Sequence, residues 1–392
     1  MHFIGQAQIV KIFSLKNNII ICVYLPACAP CRVDRPLSDE PNANAGRALL
    51  AGKLAWQAGL RKSASYLTCT GSKERIMKRN AGSFKGHFCF VFALSLLLCS
   101  TLAFGAAIQV PGDHQTIQAA IDASVDGDTV LVADGTYTGE GNKDLDFNGK
   151  ELIVQSENGP LKTIIDCEND GRGFYFHSGE LEDALVSGFT VTNGRVQDKG
   201  GAIYVINSAP TITNCIIVNN TATTSSKTSQ GGGIYLGNAG SATIANCVIV
   251  RNTSNYEGGG IYIYNTRASI INCTITRNIA INGGGLYVRH KPAPVFSNCI
   301  FWGNTPNEVV KDIKNTASPK ISFSIVQSGY SGYGNMNKDP LFVGIGDFYH
   351  LSDKSPAINR GTGKQAPEVD IDGDKRPQGK RVDIGADEYV KK

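Results

Sequence analysis

Acidic residues are missing where the sequence pattern is strongest. Between positions 199 and 304 the sole carboxylate is Glu257, so an enzyme whose general acid and base sat on that stretch would lack its groups. Helical periodicity is missing too, because apolar residues nowhere recur there at three- and four-residue spacing over the length of a helix. Past position 104 no apolar run approaches the about 20 residues of a membrane-spanning helix. A basic stripe is also lacking. Thirteen of the 38 Lys+Arg but four of the 34 Asp+Glu precede position 106, which leaves 25 basic and 30 acidic residues and a net charge of about −5. That balance excludes the electrostatic footprint of a nucleic-acid binder.

What is present is one phrase written four times. GGAIY (200–204), GGGIY (231–235), GGGIY (258–262) and GGGLY (283–287) are each followed by an Asn-Cys pair, at 214–215, 246–247, 272–273 and 298–299. The pairs step by 32, 26 and 26 residues, a period that means stacked repeats. Aliphatic residues flank every tyrosine, as Ile234 and Leu236 flank Tyr235. This period of two predicts strands with the aliphatics on one face and the tyrosines on the other. The same parity returns at Cys215 and Ile217, Cys247 and Ile249, Cys273 and Ile275, and Cys299 and Phe301. Short strands at such a period predict a parallel solenoid whose coils lie ~4.8 Å apart, so that identical residues form ladders. Asn220, Asn252, Asn278 and Asn304, each five residues after its cysteine, are expected to pass hydrogen bonds along one such ladder, and the asparagines before the cysteines along another.

These segments resemble the bacterial secreted right-handed parallel β-helix proteins of the pectin-lyase-like superfamily, and GG(A/G)IY and NCxIxxN are also similar to the repeats of polymorphic outer-membrane proteins. The resemblance runs from about Ile108 to the end. It implies an all-β fold, a single-stranded right-handed parallel β-helix with an N-terminal capping helix. It implies no single activity, because this architecture carries lyases, hydrolases, esterases and adhesins. The polygalacturonase residue set is absent, and of the pectin methylesterase pattern only the opening, IQVPGDHQTIQAAID, is similar.

Residues 1–76 show no sustained periodicity and read as an unstructured or mis-called upstream extension. At Met77 a basic start leads into the apolar run from Phe88 to Phe104, which ends in small residues. Residues 77–105 therefore read as a signal peptide, and the protein as secreted or held at the cell surface. Residues 106–128 are expected to form the cap, with a short helix around Ile117, Ala120 and Ile121, residues 129–329 the β-helix, and 330–392 a turn-rich closing segment. That segment, with DIDGDKRP and VDIGADEY, resembles the end of choice-of-anchor β-helix proteins. In the early coils Tyr175 joins the tyrosines, Ser187-Gly188 stands in for Asn-Cys, and Asn193 matches Asn220. Five cysteines follow position 105 (Cys167, Cys215, Cys247, Cys273 and Cys299), and side chains on parallel coils point the same way, so a column of buried thiols is expected rather than disulfides.

No catalytic residue is identifiable. Tyr175, Tyr204, Tyr235, Tyr262 and Tyr287, with His177, Tyr264 and Arg289 two positions on, would present aromatic faces suited to an extended polysaccharide, or would simply be good strand residues. Asp370, Asp372 and Asp374 could hold Ca²⁺ or form an acidic turn beside Lys375, Arg376 and Arg381, and no other cofactor is implied. Two function classes stay open. One is a non-catalytic, monomeric β-helix that binds extracellular glycan or a cell-surface partner. The other is a polysaccharide lyase or hydrolase built on Asp146, Asp166, Glu168, Asp170 and His177, the one dense polar cluster of the early coils.

Overall fold

The computed structural model describes residues 11–15, 18–22 and 105–391, apart from 226–227, 239, 292, 313–317 and 345–348. The chain divides into two compact units, 1–84 and 85–392. In the first, Lys11–Leu15 and Asn18–Cys22 pair as an antiparallel hairpin. The remainder of 1–76 and nearly all of the expected signal peptide, 77–104, lie outside the described residues.

The second unit is a parallel β-solenoid. A nine-stranded sheet runs from Ala107–Val110 to Lys320–Ser322, an eight-stranded sheet from Gly135–Tyr137 to Ile325–Val326, and a seven-stranded sheet from Leu145–Asp146 to Val309–Lys311. Eight strands in the second sheet mean eight turns of the coil. Every ladder is parallel, and repeats pair like with like: Tyr204 opposite Tyr235, Tyr235 opposite Tyr262, Tyr262 opposite Tyr287. The inward parity read from the sequence holds, since Ile203, Val205, Ile234, Leu236, Ile261, Ile263 and Leu286 are fully buried. Each such side chain contributes roughly 1.5–3 kcal/mol.

The glycine clusters have two separate causes. Gly231, Gly258 and Gly283 sit at φ 70, 64 and 63°, the left-handed region that favours glycine. The next residue is crowded by the following coil: a Cβ on Gly232 would lie 2.3 Å from the carbonyl oxygen of Thr253, and one on Gly259 2.4 Å from that of Ile279. The third glycine makes room for the asparagine ladder, because a Cβ on Gly260 would be 3.0 Å from Nδ2 of Asn278. Glycine cluster and asparagine are thus two halves of one packing unit.

Helix α1, Ile117–Ala123, is capped by Thr116, whose hydroxyl accepts from Ala119 N, and it buries Ile117, Ala120 and Ile121 in the same core as Val130 and Leu145. The solenoid starts earlier than position 129: Ala107–Val110 already pairs with Thr129–Val132, so the helix is inserted between the first two strands of the nine-stranded sheet. Two early equivalences shift by one residue. Leu185–Ser187 pairs with Thr211–Thr213 and Thr190–Thr192 with Ile216–Val218, which sets Gly188-Phe189 opposite Asn214-Cys215 and Asn193 opposite Asn219. The reason is conformational, since the turn needs a left-handed residue and Gly188, at φ 82°, supplies what Asn214 supplies at 54°.

Cys215, Cys247, Cys273 and Cys299 are free and buried, with each Sγ near backbone carbonyls, as at 3.2 Å from Cys247 Sγ to Ala245 O. Burial pushes the Cys247 and Cys299 thiols well up, so they stay protonated and unreactive. Cys167, also free and buried, stands outside this column, two residues after Ile165 where the others stand two before the equivalent position.

The closing segment does more than end the coil. Ile371 and Ala386 pack on Ile216, Val248 and Val250, and Leu351, Ala357 and Ile384 pack on Ile300 and Ile325, so it folds back over the outer face of the eight-stranded sheet. Asn272 Nδ2 donates to the carbonyls of Asp383 and Gly385, and Thr362 N donates to Asn298 Oδ1 at 2.8 Å. The ladder of asparagines before the cysteines therefore consists of two pairs, Asn246 to Asn214 and Asn298 to Asn272, with Arg376 reaching Asn246 Oδ1 between them.

Candidate functional site

The tyrosines form the expected column. Ring centroids are 5.0, 5.4 and 5.6 Å apart from Tyr204 through Tyr235 and Tyr262 to Tyr287, within 8° of parallel, and Tyr175 tilts by 57° at 5.3 Å from Tyr204. They point away from the aliphatic core, yet the middle of the column is closed: Tyr235 is 4% and Tyr262 1% exposed. The Tyr235 ring lies along its own strand, so that a Cβ on Gly237 would come within 2.5 Å of Tyr235 Cε1. Neighbouring rings cover the faces, and Lys199 Nζ sits 5.3 Å above Tyr235. Glu257, the one carboxylate of the repeats, is buried and accepts from Gln230 at 2.9 Å. Burial, then the nearby Glu257 charge, pushes the Tyr262 and Tyr287 hydroxyls up, so they remain protonated donors.

The two ends differ from the middle. At the C-terminal end Arg289 pairs with Asp312 at 3.5 Å, while Tyr264 meets His290 edge-on at 4.8 Å. At the N-terminal end Tyr175 and Tyr204 are half-buried, and His177 stacks on Tyr175 at 4.1 Å. The Arg172 guanidinium lies 5.1 and 5.0 Å from these two rings, a cation–π position on both. Burial lowers the Arg172 pKa against the pull of Asp144 and the tyrosines, and the guanidinium remains charged at any physiological pH.

Arg172 also lines a polar cleft of about 740 Å³, with Asp144, Asp170, Arg195, Gln197 and Thr223. The early polar cluster divides around it. Asp170 lies in the cleft and pairs with Lys143 at 3.1 Å. Asp146 instead holds His177 Nε2 at 2.8 Å, Asp166 accepts from Asn193 at 2.9 Å, and Glu168 accepts from Gly139 N. Sequence reading missed Arg172, Arg195 and Asp144, which no repeat marks; an arginine two residues before a coil's first aromatic strand was the available signal.

At the far end of the chain Asp370 is buried, and its carboxylate accepts from the amides of Asp372, Asp374 and Glu388 at 2.8–2.9 Å. It closes the turn that carries its two neighbours. Asp372 turns instead to His350, 3.1 Å away, with Asp387 close by. Arg376 is buried against Glu388 at 3.6 Å. Among the described residues no helix is long and apolar enough to cross a membrane.

No curated protein matches the sequence. Among solved structures, the crystal structure of pectate lyase Pel9A is similar, with 17% identity, a TM-score of 0.41, and 73% of this chain and 96% of that one covered. Pectin methylesterase PemA from Erwinia chrysanthemi gives 13% identity and a TM-score of 0.39 over 59% of this chain and 82% of that one. Neither likeness bears on activity. Residues 163–334 match the family described as "Right handed beta helix region". With its parallel ladders in register from Ala107 to Val326, the chain has the fold of a right-handed parallel β-helix.

Proposed function

We propose that this is an exported, non-catalytic β-helix that binds extracellular glycan at the N-terminal end of its tyrosine column. One observation carries the reading: Arg172 touches both half-buried rings of this end, Tyr175 and Tyr204, and also lines the polar cleft, so aromatic platform and hydrogen-bonding groove are continuous. Sugar rings offer apolar faces to aromatics and hydroxyls to carboxylates, amides and guanidinium groups. The closed middle, Tyr235 and Tyr262, belongs to the fold and leaves Tyr175, Tyr204 and His177 as the contact surface. A glycan array probed with the protein tests this. Retention of a polysaccharide that Tyr204→Ala and Arg172→Ala each release supports it, and binding unchanged in both variants refutes it. Export is tested separately, by sequencing the N-terminus of the product expressed with its leader, which should begin near Ala106.

A lyase or hydrolase is the second reading, favoured by Asp170 and Arg172 meeting in one cleft. Incubating any retained polysaccharide with the protein distinguishes the two, since new reducing ends or unsaturated products appear only for an enzyme.

A further inference from the structure

The geometry points to a divalent transition-metal site at His350, Asp372 and Asp387, in the closing segment and apart from the glycan surface. One ligand atom from each lies within 4.8 Å of the others, and His350 Nε2 is 3.1 Å from Asp372 Oδ2. The three come from separate stretches, and the fold fixes each. Asp372 sits on the turn closed by the buried Asp370 carboxylate. Asp387 is 6% exposed, and among the described residues its one hydrogen bond comes from Leu351 N, at 2.7 Å to Oδ2. All three side chains line a cleft of about 610 Å³, so a bound cation would keep open positions for water or an oxygen ligand.

The donor set selects the ion. Ca²⁺ takes oxygen ligands, six to eight of them, whereas an imidazole with two carboxylates suits zinc, cobalt, manganese or iron. The DxDxD run then serves as scaffold, with Asp372 alone as a ligand.

Cobalt(II) titration of the full chain, followed by visible absorption, tests this, because bands from nitrogen and oxygen donors differ from the intense thiolate charge transfer that cysteines give. One saturable nitrogen/oxygen site per chain is expected. His350→Ala and Asp372→Asn should weaken it by at least about tenfold, and Asp374→Ala should leave it unchanged. Asp387→Asn should weaken it as well, with circular dichroism confirming that the variant folds. Absence of a saturable signal, or native affinity in His350→Ala and Asp372→Asn, overturns the site. Equal competition by Ca²⁺ together with loss of binding in Asp374→Ala overturns it too, in favour of an all-oxygen site on the aspartate run.

Discussion

Asn278 donates from Nδ2 to Oδ1 of Asn304 at 2.9 Å, and Asn304 passes its own Nδ2 hydrogen to the carboxylate of Glu308. The ladder is one-directional: Asn220 to Asn252 at 3.0 Å, Asn252 to Asn278 at 3.1 Å, and so to an acid at the end. From Asn252 on, each Oδ1 also accepts the backbone N–H of the asparagine before it, and each Nδ2 also donates to a carbonyl deep in the coil, as Asn278 does to Ile249 O. Replacing Asn278 by alanine therefore strands several buried groups at once, at about 1–3 kcal/mol apiece. Urea unfolding of Asn278→Ala should show a loss of at least ~2 kcal/mol, and an unchanged midpoint would mean that water substitutes for the amide.

Glu308 makes this end of the ladder sensitive to pH. Burial raises its pKa from the ordinary glutamate value to about 7, against the lowering by its bonds from Asn304. The folded state thus holds the proton more tightly than the unfolded chain. Its contribution to stability is fully present below about pH 4.5 and is lost as pH rises through about 7. Asp383 and Asp387, raised to about 6 and 7 by burial, act in the same direction. Comparing melting temperatures of the protein and Glu308→Gln from pH 4.5 to 8 isolates the Glu308 share, and the variant should lose less stability across that window.

The tyrosine column should split by position. Tyr262→Ala removes a ring that is 1% exposed and should cost about 3–5 kcal/mol, as buried aromatic truncations do. Tyr204→Ala, at the half-open end, should cost less and should instead weaken glycan retention by ~10-fold, about 1.4 kcal/mol. Thermal melts read the first effect and the array the second. If both variants melt alike and both bind alike, the ends of the column do not differ.

Ile261 tests the inward face. It is fully buried and pairs with Ile234 and Leu286 in the coils on either side. Ile261→Asp would bury an unpaired carboxylate, and adjacent coils should lose their structure by circular dichroism. A variant that melts like the parent would mean that this side chain does not face the core.

The repeats were legible because a solenoid writes its geometry periodically: strand parity, the left-handed glycine and the amide ladder recur every coil. Single-copy features left no such mark. Gly188-Phe189 does the work of Asn214-Cys215 with different residues, so its register had to come from strand pairing. The burial of Tyr235 and Tyr262 was hidden for another reason: parity tells which way a side chain points, and not what its equivalents one coil away cover. Arg172 is marked by no repeat, and His350, Asp372 and Asp387 lie in stretches that no motif joins. The back-folded closing segment was read as turn-rich, but its contacts with Asn246 and Asn298 span 130 and 64 residues and follow no period.

That segment sets the length of the molecule. A free stack of coils touches only nearest neighbours and tolerates gain or loss of a unit. Here Arg376 meets Asn246 in one coil while Gly385 N donates to the carbonyl of Asn298 two coils further on, like a splint fastened at both ends. Inserting one more 26-residue unit between them would draw the fastenings apart by one strand spacing, ~4.8 Å, more than a hydrogen bond can span. Gene duplication, the ordinary way in which such arrays grow, would be resisted here by a ruler built into residues 351–386, and the splint cannot close until that segment has been synthesised.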